Sequence, residues 1–169
     1  MEKLYNITLL ILFSSLLFAP QGFSQGATVT ATGTVLAPLS VTGTGLIFGD
    51  QLFPGHNEIV VTTDAGAARF DIVGEPQKEI TATFTLPEIL ESGSSTMPIS
   101  FSSTSGGHDN AIALQASATV FDPNTSVTVS LYTAGEYFIW LGGTVSPSET
   151  QAAGAYTGSI TLDTVYTGN

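Results

Sequence analysis

Few residues in this chain of 169 can do chemistry: two histidines, no cysteine, and scattered carboxylates and hydroxyls. His56 stands in Phe53-Pro-Gly-His56 and His108 in Ser105-Gly-Gly-His-Asp109, both turn-like and far apart in sequence. A zinc centre or a hydrolytic triad needs several such groups converging on one point. With so many serines and aspartates present, chance pairings with a lone histidine carry no weight, so no catalytic residue, cofactor or transition metal is expected. Calcium wants carboxylate and carbonyl oxygens, which Asp109-Asn110 and Asp122-Pro-Asn124 offer, but no Asp-x-Asp-x-Asp spacing occurs. Turn capping is the expected role of these residues. Asn124-Thr-Ser126 fits a glycosylation sequon, a pattern too short to weigh alone.

A sugar-binding surface needs exposed aromatics, and Tyr132, Tyr137 and Trp140 are the cluster this sequence offers. The single tryptophan lies in "EYFIWLGG". There Phe138 and Trp140 alternate onto one face and Tyr137, Ile139 and Leu141 onto the other. Both faces are apolar, which reads as a central strand covered on both sides rather than a stacking platform.

The elements that must position these residues are strands. Strand-like runs recur at roughly ten-residue spacing: 46–48, 58–63, 68–73, 79–86, 97–101, 111–121, 126–132, 136–145 and 155–166. Ile80, Ala82, Phe84 and Leu86 share one face and Thr81, Thr83 and Thr85 the other, a period of two. Turn-formers punctuate the runs at Phe53-Pro-Gly-His56, Gly74-Glu-Pro-Gln77, Ser92-Gly-Ser-Ser95, Ser105-Gly-Gly-His-Asp109 and Asp122-Pro-Asn124. Helix is confined to a turn or two over 85–93 and one more over 148–153. The expected fold is an all-β antiparallel sandwich, with a core including Leu46, Phe48, Phe70, Ile72, Phe84, Phe101, Val129, Trp140, Ile160 and Leu162.

Residues 1–24 read as a secretory signal peptide: a charged start at Lys3, an apolar run over 7–18, then Gly22 and Ser24 before the expected cleavage. The run is about 12 residues, against the roughly 20 that span a bilayer. The expectation is an exported chain, in the periplasm, at the cell surface or outside the cell, with no membrane insertion after cleavage. Residues 25–169 suit a single domain with a real core. Three basic and 14 acidic residues give a net charge of −11, so neither nucleic acid nor an anionic membrane is expected as a partner. Only 10% of residues are charged and 43% are hydrophobic, a composition that folds rather than stays disordered.

The run that opens this region, ATVTATGTV, places Ala27, Val29, Ala31, Gly33 and Val35 on one face and threonines on the other. It carries no charge, and no tight turn follows through which it can pair with the next strand. It is expected either to be the first strand of its own sandwich, joined through Ala37-Pro38, or a pairing strand offered to another copy. Its small residues suit a narrow groove, and Gly33 permits close backbone approach. The first alternative leaves a secreted β-sandwich binding module for a carbohydrate or surface component; the second makes a self-associating fibre subunit.

The order and spacing of Pro38-Leu39, Leu46-Ile-Phe-Gly49, Phe70-Asp-Ile-Val-Gly74, Thr96-Met97, Gly142-Gly-Thr144 and Gln151-Ala-Ala-Gly-Ala-Tyr-Thr-Gly158 resemble the bacterial exported family domain of unknown function 4402, over nearly the whole mature chain. That resemblance implies no activity and no site residues. The C-terminal strand after Gly154, with Tyr156, Ile160, Leu162 and Tyr166, more distantly resembles the last strand of chaperone–usher pilin subunits, including the archaic spore-coat-U-like ones. This likeness implies an immunoglobulin-like sandwich short of one strand, filled by the N-terminal extension of a neighbour, with a periplasmic chaperone and usher as partners. The chain departs from many pilins in having no disulfide.

Overall fold

The computed structural model describes residues 27–110 and 113–168; the signal peptide read over 1–24 lies outside them. The chain divides into two units, Met1–Thr34 and Val35–Asn169. In the first, residues 27–34 are exposed and carry no regular secondary structure.

The second unit is all-β. Its strands among the described residues are β1 (Ser40–Gly43), β2 (Glu58–Val60), β3 (Ala68–Val73), β4 (Glu79–Thr85), β5 (Ile89–Ser92), β6 (Ser95–Ser100), β7 (Gly106–Asp109), β8 (Thr119–Phe121), β9 (Val127–Ser130), β10 (Glu136–Leu141), β11 (Gly143–Val145) and β12 (Thr161–Tyr166). They form a five-stranded sheet β1-β3-β10-β7-β8, a four-stranded sheet β2-β11-β6-β5 and a three-stranded sheet β12-β4-β9. Every strand pair is antiparallel.

Alternation decides which side chains meet. The five-stranded sheet turns Ala68, Phe70, Ile72, Tyr137, Ile139 and Leu141 inward onto Ile80 and Ala82 of the three-stranded sheet, with Val129 and Leu162 packed beside them. The two layers make a β-sandwich. Phe70 and Phe84 meet edge to face across it, ring centroids 5.4 Å apart. At Gly142 the β10 path breaks and continues as β11, whose Val145 joins Met97 and Ile99 in a second core under the four-stranded sheet. Gly142 is required there because a Cβ would strike the carbonyl of Val60.

β10 is the central strand that its two apolar faces predict, pairing with β3 on one side and β7 on the other. Trp140 is 3% exposed but lies on the outer face, away from the main core. Its neighbour Gly107 faces Ala118 and Thr62, and Gln115 Nε2 donates to the carbonyls of Thr62 and Asp64, the latter at 2.9 Å. The loop after β2 and the 3-10 turn Gln115–Ser117 thus strap the outside of the sheet. Phe138, also on this face, lies 5.3 Å beneath the Arg69 guanidinium, which Asp71 holds with two hydrogen bonds of 2.6 and 3.0 Å.

Several boundaries differ from the sequence expectation. Residues 85–93 form no helix: β4 runs to Thr85, Pro87 interrupts it, and β5 turns into β6 through Gly93 at φ +61°. Residues 148–153 form no helix either; the Gln151 N–H closes a turn onto the Ser148 carbonyl. Ser105-Gly-Gly-His-Asp109 is not a turn but contains β7. Its glycines serve packing, since a Cβ on Gly106 would lie 2.6 Å from the Phe121 ring. Among the described residues, the run over 111–121 is a strand only at Thr119–Phe121, and the run over 155–166 only at Thr161–Tyr166. No strand forms over 46–48, although Leu46 and Phe48 pack against the second core. Phe70 and Ile72 are buried as expected, while Phe84, Phe101, Val129, Ile160 and Leu162 are half-buried around the core.

Candidate functional site

The chemistry-bearing residues do not converge. His56 is exposed in the turn before β2, its N–H bonded to the Phe53 carbonyl, while His108 sits on β7. Asp122 caps its own turn, accepting from the Asn124 N–H at 2.9 Å and from the Asn124 side chain at 2.7 Å. Among the described residues no group of three or more His, Cys, Asp or Glu stands close enough to hold a metal. The aromatic trio also separates: Tyr132 is exposed in the turn after β9, and Tyr137 and Trp140 point to opposite faces of β10.

One polar pair was not legible in the sequence. Tyr137 Oη and His108 Nδ1 share a hydrogen bond of 2.6 Å, with the rings stacked 5.5 Å apart. They border a cavity of about 370 Å³ that also touches Val129 and Ser130 of the facing sheet. Burial lowers the His108 pKa, and the negative charge of Asp109 opposes that shift. Burial, reinforced by Asp109, pushes the Tyr137 hydroxyl well above its ordinary range. Both shifts favour the neutral forms, and the hydrogen bond joins β7 to β10 in the sandwich wall.

A cleft of about 1180 Å³ lies between two irregular runs, residues 43–54 and residues 151–160. Phe70, Leu90, Met97, Ile99 and Ile160 line it, so apolar side chains of both cores reach its floor. On one rim the Thr44 and Ile47 N–H groups bond backward to Arg69 and Gly66, both at 2.8 Å. On the other, the backbone of Thr157 exchanges two bonds with Glu91, at 2.8 and 3.0 Å, as an isolated bridge. The predicted C-terminal strand residues divide here: Leu162 and Tyr166 lie on β12, while Gly154, Tyr156 and Ile160 belong to the irregular rim. Gly154 is needed because a Cβ would strike the Ser92 side chain.

At the far end of β12 the two layers are tied together. Tyr166 Oη accepts from the Glu75 N–H at 2.6 Å and donates to the Ala37 carbonyl at 2.8 Å, while the Ala37 N–H donates to the Glu75 carboxylate at 3.0 Å. The chain is thereby fixed at Ala37, where the N-terminal run leaves. In that run Ala27, Val29, Ala31 and Gly33 are exposed, and Val29 is 88% and Val35 95% exposed.

Comparison with curated proteins returned no match. A family model does match, over residues 17–166, which takes in the strands, the cleft and the tie at Ala37. The chain belongs to the family described as Domain of unknown function (DUF4402).

Proposed function

We propose that this protein is an exported structural subunit that assembles into fimbria-like fibres by strand addition. Its immunoglobulin-like, pilin-like sandwich is one strand short. The observation that carries this reading is the coexistence, in one chain, of an open apolar cleft and an exposed, uncharged, alternating run, residues 27–35, that belongs to no sheet. Unpaired edges beside apolar floors invite association, and an added strand satisfies their backbone groups while its alternate side chains fill the floor. The role is structural rather than catalytic. A periplasmic chaperone and usher are the partners that would shield such an edge before assembly.

Deletion of residues 25–36 tests it. Full-length protein is expected to form a ladder of oligomers, the truncated protein to stay monomeric, and a peptide of the deleted sequence to bind the truncated protein. A full-length protein that remains monomeric at every concentration and ignores the peptide overturns the reading and favours a monomeric binding module.

A further inference from the structure

The three-stranded sheet packs one side on the core and turns the other to solvent, and the solvent side has a regular chemistry. We propose that this outer face binds ice, through a two-dimensional lattice of threonine hydroxyl and methyl groups.

Register builds the lattice. β4 alternates Ile80, Ala82 and Phe84 inward and Thr81, Thr83 and Thr85 outward. On one side of it Thr161 stands opposite Thr85, and Val165 opposite Thr81. On the other, Thr128 stands opposite Thr81. Outward neighbours therefore repeat at about 6.8 Å along a strand and about 4.8 Å between strands. Water oxygens on a prism face of ice repeat in two perpendicular directions at spacings close to these. Thr83, Thr85, Thr128, Thr161 and Val165 are all exposed.

The side chains suit a solid partner. Each threonine hydroxyl offers one donor and two acceptor lone pairs, which can continue a water lattice, while its methyl group fills space between the waters. Thr81 and Thr128 hydrogen-bond to each other through their hydroxyls at 3.1 Å. The longest outward side chain, Glu79, accepts from Thr167 Oγ1 at 2.8 Å and is held along the sheet. Groups already fixed in this way lose little freedom on meeting a crystal.

Charge and composition exclude the other partners. Asp163 and Glu79 are acidic, and no outward residue of β4, β9 or β12 is basic. Anionic polymers are therefore repelled, as is a second copy presenting the same carboxylates on a chain of net charge −11. None of these outward residues is aromatic, so the face offers no platform for stacking sugar rings. What fits is an uncharged partner that hydrogen-bonds and repeats in two directions. None of these residues lines the cleft, so the inference is independent of strand addition.

Slow growth of ice from a dilute solution of the full-length protein tests it, with the protein measured in the ice and in the remaining liquid. Thr83→Lys and Val165→Lys each put a long charged side chain into the lattice, and Ser40→Lys makes the same charge change on β1 of the other layer. The emission of Trp140 reports that each variant is folded. The natural protein is expected to be enriched in the ice and to slow its recrystallisation. Enrichment should fall at least about tenfold, equivalent to about 1.4 kcal/mol, in both lattice variants and stay unchanged in Ser40→Lys. Exclusion of the natural protein from ice overturns the inference and leaves the proposed function standing. Equal losses in Ser40→Lys and the lattice variants overturn the assignment to this face. Retention on insoluble cellulose, with exclusion from ice, overturns ice as the partner in favour of a neutral polysaccharide.

Discussion

Tyr137 Oη and His108 Nδ1 are 2.6 Å apart, one on the central strand β10 and the other on its neighbour β7. This contact ties a titratable ring to the inner face of the sandwich and gives stability a pH dependence with a definite sign. Burial holds the folded-state pKa of His108 below the ordinary 6.5. As pH falls through 6.5 the unfolded chain takes up a proton that the folded chain refuses, so stability decreases until the lowered folded-state pKa is reached. The denaturation midpoint of the natural protein is expected to drop between pH 7.5 and 5.5, and the drop to be smaller in His108→Gln. Parallel curves for the two proteins would remove His108 as the source.

Trp140 is the single tryptophan and is buried beneath the strap on the outer face of the five-stranded sheet. Its fluorescence is expected to be blue-shifted and resistant to iodide quenching in the folded state. Trp140→Ala should cost about 3–5 kcal/mol, a large part of the roughly 5–15 kcal/mol that holds a domain of this kind together. A loss below about 1 kcal/mol in denaturant titration would contradict the burial.

Gly142 joins β10 to β11 and passes against the carbonyl of Val60. Gly142→Ala forces a methyl group against the Val60 backbone, which no side-chain rotation relieves. The expected loss is near the upper end of the roughly 1–3 kcal/mol typical of overpacking, read as a lowered midpoint at unchanged m value. Gly33→Ala, where nothing lies within 4 Å, is the control and should leave monomer stability unchanged.

These cases mark how much of the molecule the sequence discloses. Strict alternation is visible to any period-two reading, so β3, the Ile80–Ala82–Phe84 face and the doubly covered β10 were legible. What alternation cannot see is where a glycine serves close packing rather than a turn. Gly106 and Gly107 look like a loop and are a strand, because Phe121 and Ala118 occupy the space of their missing side chains. Residues 85–93 have helix-like composition, yet Leu90 finds its partner in Met97 across a hairpin, a contact that local propensity does not encode. The His108–Tyr137 pair was hidden for the same reason: 29 positions separate them, and only the β7–β10 register brings them together. For the cleft, the alternating run at 27–35 is apparent in the sequence, and the missing turn leaves open whether it pairs within its own sandwich or with another copy. Residues 155–160 read as strand in the sequence and make only an isolated bridge, Thr157 to Glu91.

Tyr166 ends β12 and carries the tie at Ala37, and its removal separates anchoring from packing. Its hydroxyl accepts from the Glu75 N–H and donates to the Ala37 carbonyl, so Tyr166→Phe keeps the ring and deletes both bonds. A net hydrogen bond contributes about 1 kcal/mol, which puts the expected loss near 2 kcal/mol for the pair. Removing the oxygen also frees the segment at 37–39, although the Ala37 N–H still has the Glu75 carboxylate. Glu75→Ala removes that remaining bond, and the two substitutions share Ala37, so their effects should be non-additive by at least 0.5 kcal/mol in a double-mutant cycle. Amide exchange at Ala37 and Glu75 is expected to accelerate in Tyr166→Phe while exchange in β10 stays slow, the signature of local rather than global opening. If strand addition is the function, the loosened tether also relaxes the point from which residues 27–35 depart, and the Tyr166→Phe oligomer ladder should shorten without a change in peptide binding to the truncated protein. An unchanged ladder would confine Tyr166 to stabilising the sandwich end.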